Sequence, residues 1–177
     1  MDAAAWLGEI VTRFGSSREL AERATAQVQD EDFFRAPAEG CNSIALLQQH
    51  MGGNLRSRWL DVLTTDGEKP DRQRDLEFEA QTDSRAEVEA IWTRGWTTCL
   101  ESLSALEPTD LERTILIRSE PWGVVAAIHR SLSHADYHTG QIVQLARQWV
   151  GNDWQSLSIP RGRSQEFLDG MRQRFER

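Results

Sequence analysis

Histidine is scarce in this chain, and three of its four copies fall in one predicted helix: His129, His134 and His138, with His50 standing alone upstream. At about 100° per residue, His134 and His138 lie roughly 40° apart on a helical wheel and one turn apart along it, so they share a face. Val124, Ala127, Ser131, Ala135, Ile142, Leu145 and Trp149 all fall within about 60° of His138, which puts both imidazoles on the apolar, core-facing stripe. His129 falls on the opposite face with Arg147 and is excluded as their partner. Two core-facing imidazoles are costly unless their ring nitrogens find partners, and the i, i+4 spacing lets both converge on one metal ion. A third ligand is needed. His50 stands beside Leu46, Leu47 and Asn54 on the flank of another apolar stripe, and a fold that joins the two helices would complete a three-histidine site.

Three protein nitrogens leave a coordination position open, as in catalytic zinc sites. Asn54, one turn after His50, and Gln141, about 60° from His138, are expected to face the pocket and orient a ligand or substrate. No Asp or Glu shares the helical face of the pair, so the sequence names no general base and no catalytic residue. Glycine-rich nucleotide motifs, the zincin motif H-E-x-x-H and the G-x-S-x-G nucleophile elbow are all absent, which removes dinucleotide, P-loop, zincin and α/β-hydrolase chemistry.

The elements that must position these residues follow from apolar periodicity. Helix one runs from Asp2 to about Gln29 with Trp6, Ile10, Phe14, Ala21, Ala24 and Val28 on one face. Asp30 to Cys41 breaks the pattern, and Asn42 or Ser43 caps helix two, which runs to about Thr64. Thr65 to Asp83 is a long polar loop and a candidate lid. A capping box at Ser84 and Glu87 opens helix three, which stops at Pro108. Thr114 to Ile117 is short and β-branched and is expected to be extended. Pro121 suits the first turn of helix four, which ends at Gly151, and a short last helix covers Ser164 to about Phe175. The fold class is therefore all-α, a four-helix bundle, with residues 1–177 forming one domain.

Composition narrows the partners. Twenty basic against 28 acidic residues give a net charge of −8, which disfavours nucleic acid and anionic membrane surfaces. The longest wholly apolar run, Val124 to Ile128, is too short to span a bilayer, and the N-terminus lacks the pattern of an export signal, so a cytoplasmic location is expected. Cys41 and Cys99 have no metal-ligand spacing and are expected to be reduced, partly buried thiols. Trp59, Trp92, Trp96 and Trp149 are expected in the core, and Arg56, Arg58, Arg72 and Arg74 either bind an anionic cofactor or solvate the surface.

Around the histidines the chain resembles the DinB-like superfamily of metal-binding four-helix proteins, which includes the bacillithiol- and mycothiol-dependent transferases. The resemblance rests on His50 and on His134-x-x-x-His138-Thr139-Gly140-Gln141-Ile142. It extends through Asn42-Ser43-Ile44, Gly53-Asn54-Leu55-Arg56-Ser57-Arg58-Trp59, Thr64-Thr65-Asp66-Gly67-Glu68-Lys69-Pro70 and Ser158-Ile159-Pro160-Arg161-Gly162, covering nearly the whole chain. It implies an up-down-down-up bundle with one divalent ion on His50, His134 and His138, commonly in a homodimer, a state that seven tryptophans also favour. Zinc suits imidazole best, with nickel, iron or manganese as substitutes. The implied activity is transfer of a low-molecular-weight thiol to a small electrophile. The alternatives are a metal-dependent hydrolase and a non-enzymatic metal-binding protein for stress or dimerisation.

Overall fold

Three side-chain caps start the long helices. Asp2 accepts a hydrogen bond from the Ala4 amide at 3.2 Å and opens α1, Ala3–Thr25; Ser43 accepts from Leu46 at 3.2 Å and opens α3, Ile44–Trp59. Ser84 accepts from Glu87 at 3.4 Å and opens α4, Arg85–Ser104, but its own amide donates to Thr82, so the expected capping box is only half formed. The fourth long helix, α5, covers Val124–Val150 and ends at Gly151, whose φ of 62° gives the left-handed stop expected of a glycine there. The computed structural model describes residues 2–175, and the chain is mainly helical.

Helix one ends earlier than its periodicity suggests. The chain turns after Thr25 and then forms a short helix, α2, Asp30–Phe34, within the segment expected to be irregular. The reason is Phe33, which is fully buried, packs edge-on against Phe34 and lies under the Arg85 guanidinium at 4.8 Å. Helix two also stops early, at Trp59, because Leu60 is extended and Asp61 adopts a φ of 49°. That turn brings Gly67 back to the helix, where its carbonyl accepts from Ser57 Oγ at 2.9 Å and from Arg58 Nη1.

Pro121 is not in a helix. Thr114–Ile117, the segment expected to be extended, is strand β1 of an antiparallel hairpin with β2, Glu120–Gly123, and Pro121 sits opposite Leu116. Arg118 and Ser119 form the two-residue turn with φ of 57° and 62°. Two left-handed non-glycine residues are costly, and the Asp66 carboxylate offsets this by accepting both amides, at 2.8 and 2.6 Å. On a two-stranded sheet a proline forfeits little, since both strands are edges.

The ends of the long helices meet in a defined way. At the C-terminal end of α1, Thr25 Oγ1 accepts from Gln48 near the start of α3, and the Thr25 carbonyl accepts from Arg85 at the start of α4. At the other end, the Trp59 carbonyl accepts from Ser102 of α4 at 2.7 Å, while Trp59 Nε1 donates to Ser131 in the first half of α5. Trp6 and His129 pack together near the starts of α1 and α5.

Phe14, fully buried, meets the edges of Trp59 and Trp96 at the centre of the core, which Leu55, Ile128 and Ile142 fill around them. Trp59, Trp92 and Trp96 are core residues as expected, whereas Trp149 is half-buried beneath Arg35. Cys99 is buried and its thiol is pushed up by desolvation, but Cys41 is exposed, contrary to expectation. The last helix, α6, Ser164–Phe175, has no buried residue. No helix of the described residues is long and apolar enough to cross a membrane.

One close approach fixes the height of His50 relative to its neighbours. A Cβ on Gly52 of α3 would lie 2.5 Å from the Ile91 carbonyl oxygen, and a Cβ on Gly95 of α4 would lie 2.3 Å from that of Gly52. Only glycine at both positions lets the two backbones touch.

Candidate metal centre

His50 reaches the centre of the fold from α3, two residues before that glycine contact, and His134 and His138 reach it from α5. Their ligand atoms lie within 4.8 Å of one another. His134 Nε2 is 3.3 Å from His50 Nε2 and 3.2 Å from His138 Nε2. Three nitrogens bound to one tetrahedral ion at about 2.05 Å would stand about 3.3 Å apart, so these two spacings are compatible with a shared ion. His50 and His138 are buried and His134 is half-buried.

The outer nitrogens fix the tautomers. His50 Nδ1 is 2.9 Å from Glu77 Oε2, and His138 Nδ1 is 2.7 Å from Gln141 Oε1. Both partners accept only, so both Nδ1 atoms bear the proton and both Nε2 lone pairs point inward. His134 Nε2 can donate to one of them at most, which leaves the other lone pair buried without a donor. A cation resolves that conflict, and the donor set therefore fits a divalent ion. His134 is also kept neutral: burial, with His138 and His50 alongside, pushes it down to about 3. Burial lowers His138 too, against the hydrogen bond it donates to Gln141.

Glu77 is the site residue that periodicity misses. It lies in a single 3-10 turn, Asp75–Phe78, inside the polar loop, and is buried. Burial pushes its carboxyl up, but the bonds from Arg72 and His50 outweigh this and hold it below the ordinary value. Arg72 grips it with two bonds of 2.8 Å, from Nε to Oε1 and from Nη2 to Oε2. A carboxylate behind a ligating histidine orients the ring and raises its basicity. The one sequence signal for this turn is Leu76 and Phe78, apolar residues flanking Glu77 in a polar stretch; Phe78 stacks on the His50 ring at 4.4 Å.

The loop expected as a candidate lid lies hydrogen-bonded against α3. Gln49 Nε2 donates to the carbonyls of Leu76, Glu77 and Glu79 at 2.9 to 3.1 Å. Glu68 binds Arg58, Arg72 and Arg118, and Lys69 is buried with its Nζ on the Asp66 carbonyl. Arg58 and Arg72 are thus internal struts, whereas Arg56 pairs with Asp71 and Arg74 with Asp75 at the surface. Of the two expected orienting residues, Gln141 holds His138, and Asn54 lines a cavity that His134 also lines. His129 is exposed and remote from the triad's face, against Trp6.

The family described as "Protein of unknown function (DUF1572)" matches residues 2–163, a span that includes all three histidines and Glu77. The chain belongs to the DUF1572 family. No curated protein and no solved structure matches it. The match stops one residue short of α6, so everything that builds the DUF1572 triad lies inside the matched span.

Proposed function

We propose that this DUF1572 protein is a DinB-like, up-down-down-up four-helix protein that binds one divalent ion through Nε2 of His50, His134 and His138, zinc first, and serves as a thiol-dependent S-transferase. The observation that carries the metal reading is the pair of inward-facing Nε2 lone pairs, fixed by Glu77 and Gln141 on the outer nitrogens. The meeting of the end of α1 with the starts of α3 and α4, and of Trp6 with His129, supports the helix directions. The homodimer is part of the same proposal. Supporting it is α6, none of whose residues is buried and which leaves Phe167 and Phe175 at 50% and 65% exposure.

An ion there would stabilise a small thiol as its thiolate near neutral pH and so supply the nucleophile for a small electrophile. The protein's own contribution is to keep His134 and His138 neutral, aim all three imidazoles, and wall the site with the loop held by Gln49. Purified protein assayed for bound metal, then screened against electrophiles with and without bacillithiol, mycothiol, glutathione or cysteine, tests the proposal. Thiol-dependent product that vanishes on chelation is expected. Thiol-independent product would move the assignment to a hydrolase, and metal without turnover would leave a non-enzymatic metal-binding protein.

A further inference from the structure

Beside the triad, between α3, α5 and β1, lies a cavity of about 50 Å³ whose wall includes His134. At about 10–15 Å³ per water-sized occupant it holds roughly four such occupants. Its walls are apolar on one side, with Trp59, Ile117 and Ala127, and polar on the other, with Asn54, Arg58 and Arg130. No acidic residue lines it.

Arg58 is 6% exposed, and two of its three nitrogens are committed, Nη1 to the Gly67 carbonyl and Nη2 to Glu68. Its Nε has no hydrogen-bond partner among the described residues. A buried, unpaired guanidinium N–H is costly, and Arg58 is one of the residues that line the cavity. Its neighbours share their counter-charges: Arg58, Arg72 and Arg118 all pair with Glu68, while Glu77 serves Arg72 and His50. Arg130 forms no ion pair among the described residues and lies over the Trp122 ring.

We infer that this cavity is an anion subsite for a short-chain carboxylate, with the carboxylate at Arg58 and Arg130 and a short apolar stem on Trp59 and Ala127. The inference rests on the proposed metal site and deepens it: the electrophile would be a small carboxylic acid whose reactive carbon lies at the His134 end. A dication of the metal, Arg58 and Arg130 together favour an anion, and the volume excludes a bulky one.

Calorimetric titration of the full-length protein with propionate and with propionamide, in metal-loaded and chelator-stripped form, tests this. Propionate is expected to bind both forms at least tenfold more tightly than propionamide. Arg130→Gln, a surface change, should weaken propionate several-fold, and Ala127→Leu should abolish its binding by filling the cavity while metal content is retained. Equal binding of propionate and propionamide, no binding to the stripped protein, or an Arg130→Gln variant that binds as the parent does would overturn the inference. Metal content measured on the same samples separates the two proposals: metal without propionate defeats only the subsite, and propionate without metal defeats only the metal reading.

Discussion

Glu77 Oε2 accepts the Nδ1 proton of His50 at 2.9 Å across 27 residues of sequence, and the same carboxylate is gripped by Arg72. This turns a loop residue into the part that decides which way the His50 lone pair points.

Removing that carboxylate should therefore loosen metal before it empties the site. Glu77→Gln keeps an acceptor for Nδ1 but loses the charge, and metal affinity should fall roughly 10- to 100-fold in a chelator competition. Arg72 is left buried with Glu68, at 3.4 Å, as its one charged partner among the described residues, which should cost about 3 kcal/mol in urea unfolding.

Metal content should follow the triad and ignore the fourth histidine. Alanine at His50, His134 or His138 should lower bound metal from about one ion per chain to almost none, since two imidazoles seldom hold zinc. His129→Ala should stay fully loaded. Elemental analysis of the four variants decides it, and a loaded His134→Ala protein would defeat the assignment.

The glycine contact should be as intolerant as a core residue. In Gly95→Ala the new Cβ would meet the Gly52 carbonyl oxygen at 2.3 Å, so α3 must move away from α4. A loss of about 3 kcal/mol is expected, together with weaker metal binding, because His50 lies two residues from Gly52. Gly15→Ala, where a Cβ meets nothing within 4 Å, should do neither.

Acid should destabilise the metal-free protein over a defined range. His134 falls to about 3 and His138 is also lowered in the folded state, whereas both titrate near 6.5 when unfolded. Below about 6.5 the unfolded chain binds more protons than the folded one, so stability is complete above that pH and is lost as pH falls towards the folded values. Glu77 and Glu68, both held low by their arginines against the cost of burial, add losses of the same sign in more acidic solution. The urea midpoint of chelator-stripped protein should drop between about pH 7 and 5, and bound zinc should reduce the drop.

Solution mass tests the dimer. Sedimentation at micromolar concentration should give twice 20.2 kDa, and truncation before Ser164 should return the monomer if α6 forms the contact. A parent chain that sediments as a monomer defeats the proposal.

Much of the site was legible in the sequence because a helix has a fixed angular repeat. His134, His138, Ile142 and Ala135 had to share a face whatever the fold, and His129 had to leave it. The caps at Ser43 and Ser84 and the stop at Gly151 are equally local, since each depends on residues within one turn. Pro121 misled for the same local reason: proline suits a helix start, and only the Asp66 carboxylate, more than 50 residues away, makes the hairpin turn at Arg118 and Ser119 that claims it as a strand. Tertiary structure alone decided the rest. Whether His50 would meet the pair depended on how α3 packs against α5, where Trp59 bonds Ser131, and Glu77 depended on a loop with no period, fastened by Gln49 and Arg72. Periodicity says which way a side chain faces, but what it faces is fixed by contacts between segments far apart in the chain, each satisfied only once the others are in place.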